Sequence, residues 1–497
     1  MDEGRSQKWS LSTWMILAAI ALVPGAFATA FSSFEVVKAA LLLVLVGLAM
    51  LAFGVDVLRK KSTAVTGVKV ALVAYLFGAF ALISAAWSPV PILGLVDAMK
   101  WTAMVGVFLL VVSPVGRAIR FNDFGLALGI GAIIVGASSV LDAVGLEVFT
   151  PVWNPSGATG AFDSHEFLVP YTAMVIPILS AGVIRHTGWQ KIVIGVGLLF
   201  AALGFGLNTS LLFAGVASGV WVVATLVILI FQGFGRASLL GPAVGALIVA
   251  SSAAAVGHFL APAPHASDAN RLPVVVVEQK STIDDFTDND IRFPMFEIGR
   301  TEEVANTAAY PYLFALGMDM FREKPLGGQG AGGWWQVQTK YSRPDDPYVS
   351  KLFEHYPAFK SAHNSYVEAL AGFGFIGFFL FLAWLVSVFA VTLTGLGRKE
   401  ERERWLLEHW GLILGVGSGA ALAMVSPALN FAGTGVVFFA GLGLLIRESS
   451  MLNEFKGLGT IWRIDANSGI TLGNHYARLR RARASRHRCG HDCGYGS

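Results

Sequence analysis

Apolar residues fall in blocks of about twenty along most of this chain, the length a helix needs to cross about 30 Å of hydrocarbon at about 1.5 Å per residue. The blocks lie at about 11–31, 35–58, 67–86, 94–113, 124–145, 167–184, 190–208, 211–231, 239–260, 369–394, 410–426 and 431–446, which predicts about twelve transmembrane helices. Only Asn208-Thr209-Ser210 separates the seventh and eighth blocks, so one broken hairpin is the alternative there. The first block has the Ala-rich look of a signal peptide, but it opens a continuing series of spans and reads as an uncleaved first helix.

Polar positions fix the expected orientation. Alternate short loops carry Arg59, Lys60 and Lys61; Arg117 and Arg120; Arg185 and Lys191; Arg236; and Arg398, Lys399, Arg402 and Arg404. The intervening loops, at about 32–34, 87–93, 146–166, 208–210 and 427–430, hold no Lys or Arg. Basic loops stay in the cytoplasm, so both termini are expected there and the opposite loops outside. The expected organisation is residues 1–260 with helices one to nine, 261–362 as a large outer loop, 363–446 with helices ten to twelve, and 447–497 as a basic cytoplasmic tail.

Composition agrees with a polytopic membrane protein. Of 497 residues, 55% are hydrophobic and 14% charged, too few charges to cover a water-facing surface. The net charge of +3 adds little, because the placement of cations matters more than their sum. The two cysteines, Cys489 and Cys493, both sit in the tail, so the outer segment has no disulfide. His487 and His491 alternate with them in a spacing unlike the usual zinc patterns, and a disordered end is expected there.

The polar segment is acidic and weakly patterned over Arg271–Asp290. Leu313, Leu316, Met320 and Phe321 then recur at helical spacing and predict an amphipathic helix over about 308–323, ended by Pro325. The glycine-rich run from Gly327 to Trp335 lacks the Lys-Ser/Thr of a P-loop. A flexible turn with an aromatic anchor is the reading preferred to a ligand loop.

Ionisable residues at the membrane edge each need an account. Lys38 follows Glu35 by three residues and Lys100 follows Asp97 by three, both at outer helix ends. Local pairing with snorkelling to the headgroups is one reading, and attraction of an outer diphosphate is the other. Arg292 and Arg300 stand among carboxylates in the outer segment; surface ion pairing and diphosphate binding are both open to them, with Arg300 favoured as the ligand. Arg322 and Lys324 suit the C-terminus of the amphipathic helix. His363 is either a helix-start residue capped by Asn364 or Ser365, or a general base for a hydroxyl.

The run His363-Asn364-Ser365-Tyr366-Val367-Glu368, followed by Gly372-Phe373-Gly374-Phe375-Ile376-Gly377, resembles the signature of the O-antigen ligase and O-antigen polymerase superfamily. Phe34-Glu35-Val36-Val37-Lys38 is similar to that family's lysine-bearing second helix, and Ser84 to Pro89 to its first outer hairpin, with Lys100 where a basic residue is usual. Gly160 to Phe167, containing His165, resembles its third outer loop, and Pro325 to Gly330 the motif that closes its outer helix. The resemblance implies a GT-C-like, all-α bundle of about twelve transmembrane helices with one large extracytoplasmic loop, in the bacterial inner membrane with its active site facing the periplasm. It implies metal-independent, cofactor-free, inverting transfer of glycan from an undecaprenyl-diphosphate carrier to a hydroxyl on a second glycan or a lipid A core. Nucleic acid is not an expected partner. His363 and Arg300 are the implied catalytic pair; Lys38, Lys100, Arg292, Arg300 and Arg322 the diphosphate ligands; His165, Asn364 and Glu368 the acceptor and loop residues.

Two family arginines are replaced. Thr209-Ser210-Leu211 stands where Thr-Arg-Gly or Ser-Arg-Gly is usual, and Ala308 where a second arginine precedes the helix containing Tyr312. Either Arg300 substitutes from upstream or the diphosphate is held differently, and polymerase is favoured over ligase. A flippase for the same lipid-linked sugars is the rival from another class, but no internal repeat is visible and the cations gather at outer helix ends. A non-catalytic scaffold is a third reading.

Overall fold

The computed structural model describes residues 9–28, 34–60, 62–65, 67–146, 159–162, 164–208, 211–232, 251, 255, 303–341, 361–395, 399–455, 461–465 and 469–473. Arg271–Asp290, Arg292, Arg300, the tail from residue 474 and, apart from residues 251 and 255, the expected span at 239–260 lie outside them. The helices are α1 (Leu11–Leu22), α2 (Phe34–Lys60), α3 (Val68–Ser84), α4 (Pro91–Val112), α5 (Phe121–Ala143), α6 (His165–Arg185), α7 (Gly188–Asn208), α8 (Leu211–Gln232), α9 (Glu303–Glu323), α10 (Gly333–Tyr341), α11 (Ser365–Gly395), α12 (Lys399–Leu422) and α13 (Ala432–Phe455). Among the described residues eight helices are long and apolar enough to cross a membrane, and three apolar helices are shorter.

Lipid is the solvent this surface suits. Leu51, Leu58 and Leu72 are 69%, 74% and 55% exposed. In water such a surface would cost about 25 cal/mol per Å² of apolar area, and against acyl chains it costs nothing comparable. Inside, Phe77 and Trp101 meet edge to face at 5.6 Å, and Trp384 stacks on Phe439 at 4.9 Å, joining α3, α4, α11 and α13.

The first helix departs from expectation. Its apolar block runs on to residue 31, yet α1 stops at Leu22. Val23 is the C-cap and still helical in geometry, but Pro24 after it lacks an N–H to continue the ladder. The chain beyond this break presents the Ala26 carbonyl to the ammonium of Lys38 at 2.5 Å.

Among the described residues, the ends of helices that adjoin basic loops gather at one end of the bundle. At one end the Thr13 hydroxyl bonds the Val115 carbonyl at 3.4 Å, Arg447 bonds the Gly116 carbonyl, and His186 Nε2 lies 3.2 Å from the Asn122 carbonyl. A three-stranded antiparallel sheet adds strand to the all-helical expectation. β1 (Ser62–Val65), from the α2–α3 loop, pairs with β2 (Ile461–Asp465), and β2 pairs with β3 (Gly469–Gly473). The loop after α2 and the tail, both expected in the cytoplasm, therefore meet each other.

At the other end α9 lies against α11. It begins at Glu303, some residues before the expected start, and ends ahead of Pro325. Leu313, Leu316 and Met320 bury their side chains beside Val367 and Ala371, each worth about 1.5–3 kcal/mol. Phe321, the fourth residue of the expected stripe, is only partly buried. The glycine-rich run after Pro325 is a built clamp and not the flexible turn expected. Gln329 and Gly330 donate N–H bonds to the Ala371 and Gly372 carbonyls at 2.9 and 2.8 Å, and Phe375 and Ile376 donate back to Pro325 and Leu326 at 2.7 and 3.1 Å. These bonds are available because α11 breaks at Gly374, whose φ of 62° and ψ of −166° no residue with a Cβ adopts readily. Trp334 is buried beneath the clamp at the start of α10.

Candidate active site

The residues with chemical potential collect at the α9 end of the bundle, around the N-termini of α6, α11 and α13. His363 stands immediately before α11 in the left-handed region, with φ of 49°. Among residues with a Cβ, histidine is one of the few enriched there, and such strain persists only where the surroundings hold it. The Ser361 Oγ accepts its N–H at 3.3 Å, and the N–H of Ser365, two residues on, goes to the Ala423 carbonyl at 2.8 Å. Asn364 is the cap: its Oδ1 accepts from the N–H groups of Tyr366 and Val367 at 3.0 and 3.1 Å, and its Nδ2 donates to the Met424 carbonyl at 2.8 Å.

The imidazole Nδ1 of His363 lies 2.6 Å from Oε1 of Glu166, with both side chains at least nine-tenths buried. Glu166 is fixed by its own helix start. The Ser164 Oγ caps α6 by accepting the Glu166 N–H at 3.2 Å. Pro170, four residues on, has no N–H for the Glu166 carbonyl, and the Ser426 hydroxyl donates to that carbonyl instead at 2.7 Å. The Ser426 carbonyl in turn accepts the Ser365 hydroxyl at 3.0 Å, which ties α6, α11 and the turn before α13 into one polar joint. Burial opposes the charged form of His363, but the Glu166 carboxylate and the more distant Glu368 outweigh it, and the pKa is raised above 6.5. A histidine held at Nδ1 by a carboxylate presents Nε2 as its basic nitrogen.

Next to this pair lies a ladder of charges. Lys100 Nζ is 3.0 Å from Asp97 Oδ1, the expected i,i+3 partner, and 3.8 Å from Glu35 Oε1. Asp97 Oδ2 accepts the Gly332 N–H at 3.0 Å, and Glu35 Oε1 accepts the Ala432 N–H at 2.9 Å. Glu368, one turn into α11, lines a cavity with Asp97, Trp101, Trp334 and Asn430. Lys38 corrects the expectation of snorkelling: it is 2% exposed, its ammonium donates to the Ala26 and Ala161 carbonyls at 2.5 and 2.7 Å, and it sits 4.9 Å from the centre of the Phe162 ring.

Of the residues singled out in the sequence, His363, Asn364, Glu368, Lys38 and Lys100 belong to this end of the bundle. His165 opens α6, and its side chain lies outside the described set. Arg322 is on the exposed face of α9, paired with Asp319 at 2.9 Å. Glu323 nearby accepts from Lys340 and Tyr341, both at 2.6 Å, and those bonds hold its pKa below the ordinary carboxylate value. Arg292 and Arg300 lie outside the described residues. Glu166 and Asn430 are the site residues that sequence reasoning missed. Glu166 stood in plain view inside the outer-loop run, and the proline four residues later was the available signal.

A family model described as O-Antigen ligase matches residues 175–382, from within α6 to within α11. No curated protein matches the chain. The matched stretch contains His363 and Glu368 and ends before α12, leaving Lys38, Lys100 and Glu166 outside it. The match bears out the resemblance to the O-antigen ligase and polymerase superfamily, and it implies glycan transfer by a multi-pass membrane protein.

Proposed function

We propose, from the superfamily likeness that the match over residues 175–382 bears out, that this chain is a glycosyltransferase of the bacterial inner membrane. It polymerises or ligates glycan from an undecaprenyl-diphosphate carrier onto a hydroxyl acceptor, with polymerisation favoured. Both termini lie in the cytoplasm and the end bearing His363 faces the periplasm, a reading supported by the distribution of basic residues among the loops. The observation that carries the reading is the buried contact of 2.6 Å between His363 Nδ1 and Glu166.

In the reaction, His363 Nε2 takes the proton of an acceptor hydroxyl. That oxygen attacks the anomeric carbon in line, the bond from carbon to the diphosphate oxygen breaks, and the polyprenyl diphosphate departs with the electron pair, inverting the centre. Arg300, with Arg292 and the exposed Arg322, stabilises the departing diphosphate. Lys38 and Lys100, committed to carbonyls and carboxylates, shape the site's potential without meeting the phosphates directly. Neither metal nor cofactor takes part.

The test is complementation of a deletion strain with His363→Ala or Arg300→Ala. Loss of chain length on attached glycan supports polymerase, and loss of attachment of long chains supports ligase. In both cases lipid-linked precursor accumulates on the periplasmic face. Precursor retained on the cytoplasmic face would identify a transporter instead, and an unaltered glycan profile would remove His363 from the chemistry.

A further inference from the structure

We propose that the cavity walled by Asp97, Trp101, Trp334, Glu368, Phe373 and Asn430 is a subsite for hydroxyl groups of the sugar acceptor, distinct from the place where the donor's diphosphate is held. This rests on the glycan-transfer reading and goes beyond it by naming the groups that bind the acceptor.

The cavity lies between α4, α11, the start of α10 and the turn before α13, is open on one side, and has a volume of about 20 Å³, room for one or two groups the size of a hydroxyl. Asn430 is 4% exposed. Its amide is hydrogen-bonded to the Glu368 carboxylate, an acceptor that selects the nitrogen side, so the amide oxygen points away from that bond. Both Asn430 Oδ1 and Glu368 Oε2 are buried without a hydrogen-bond partner among the described residues. Buried polar groups are nearly always paired, and an orphan pair on one cavity wall calls for a ligand that completes it.

Both orphans are acceptors, so the missing group is a donor. A phosphate is repelled here, because Asp97 and Glu368 present carboxylates from two sides. Lys100 already supplies positive charge to Asp97 and Glu35, so the shortfall is in O–H donors and not in cations. The walls formed by Trp101, Trp334 and Phe373 are buried and largely apolar, a setting in which hydrogen bonds count for more. Adjacent hydroxyls of a sugar meet these requirements. Glu368 follows His363 by five residues at the start of α11, so a sugar edge seated in the cavity lies at the same helix end as the proposed base.

The experiment uses the full chain in proteoliposomes with the lipid-linked glycan and acceptor extracted from its own cells, measuring transfer rate against acceptor concentration. Glu368→Gln and Asn430→Ala each remove one acceptor, and each should raise the acceptor KM by about tenfold or more with kcat far less affected. Ala369→Leu fills the cavity from the α11 side. A mere packing void would tolerate it with unchanged KM and equal or higher thermal stability; a subsite loses acceptor affinity while the fold holds. Unchanged KM in Ala369→Leu, or a kcat loss at constant KM in the other two, overturns the proposal while leaving His363 as the base. Retention of full transfer by His363→Ala would instead sink the reading on which the subsite depends.

Discussion

Replacing Glu166 by Gln isolates what the carboxylate does for His363. The amide keeps the size and a hydrogen-bonding oxygen but removes the charge that lies 2.6 Å from Nδ1. With Glu166 gone, burial still opposes protonation and only the more distant Glu368 favours it, so the histidine pKa falls from its raised position. Stranding one member of a buried ion pair costs about 3–5 kcal/mol, but the imidazole escapes most of that by releasing its proton. A stability loss of about 1–3 kcal/mol remains, the range for a weakened buried hydrogen bond. In the wild type the pair's contribution is fully present below pH 6.5, the ordinary histidine value, and fades as pH climbs through the raised pKa. Transfer needs the neutral imidazole, so its rate rises with pH through that same value. The substitution should therefore move the rising limb of the pH–rate curve to lower pH. The maximal rate should fall as well, because the ring is held less firmly. The assay is initial transfer rate across pH in proteoliposomes, with thermal unfolding of the same preparations. A rising limb that stays in place would refute the claim that Glu166 governs His363.

Three further substitutions probe the frame around the site. Gly374→Ala puts a Cβ 2.4 Å from the Gly328 nitrogen at a positive φ, so a loss of several kcal/mol, about the sum of strain and overpacking, should appear as a lower melting temperature. Ser426→Ala leaves the Glu166 carbonyl, already deprived of a helical donor by Pro170, without its hydroxyl partner; about 1–3 kcal/mol should be lost in chemical denaturation, together with part of the transfer rate. Arg322→Ala breaks an exposed pair with Asp319 and should change stability by less than about 0.5 kcal/mol, read by the same melting assay.

The spans were legible because a hydrophobic block and a helix across lipid have the same length, and α2 to α8 begin and end within a few residues of their blocks. α1 was misread for a local reason: apolarity ran straight through Val23-Pro24-Gly25, and periodicity does not register a proline break inside a uniformly apolar run. Asn364 as cap and Lys100 with Asp97 were readable, since both are contacts within four residues along the chain. Glu166 against His363 was not, nor was the bond from Lys38 to Ala161, because each joins segments more than a hundred residues apart and depends on how the helices pack. The sheet escaped for a related reason, being built from four- and five-residue strands at distant points of the chain.

The balance of charge at this end bears on how such a site must be divided. Among the described residues, Glu35, Asp97, Glu166 and Glu368 lie at this end of the bundle with Lys38, Lys100 and His363, and both lysines already serve protein acceptors. A diphosphate brought against these groups would meet net repulsion, at about 1–4 kcal/mol for each unit pair at 4 Å near a surface. The bundle end therefore suits the acceptor and its proton, and cations for the leaving group have to come from elsewhere. The outer segment that carries Arg292 and Arg300 is the polar stretch with unassigned arginines closest in sequence to α9. On the proposed reading the missing arginine at Thr209-Ser210-Leu211 is no obstacle to transfer: Arg292 and Arg300 would supply the charge, His363 would handle the proton, and the two need only meet across one anomeric carbon.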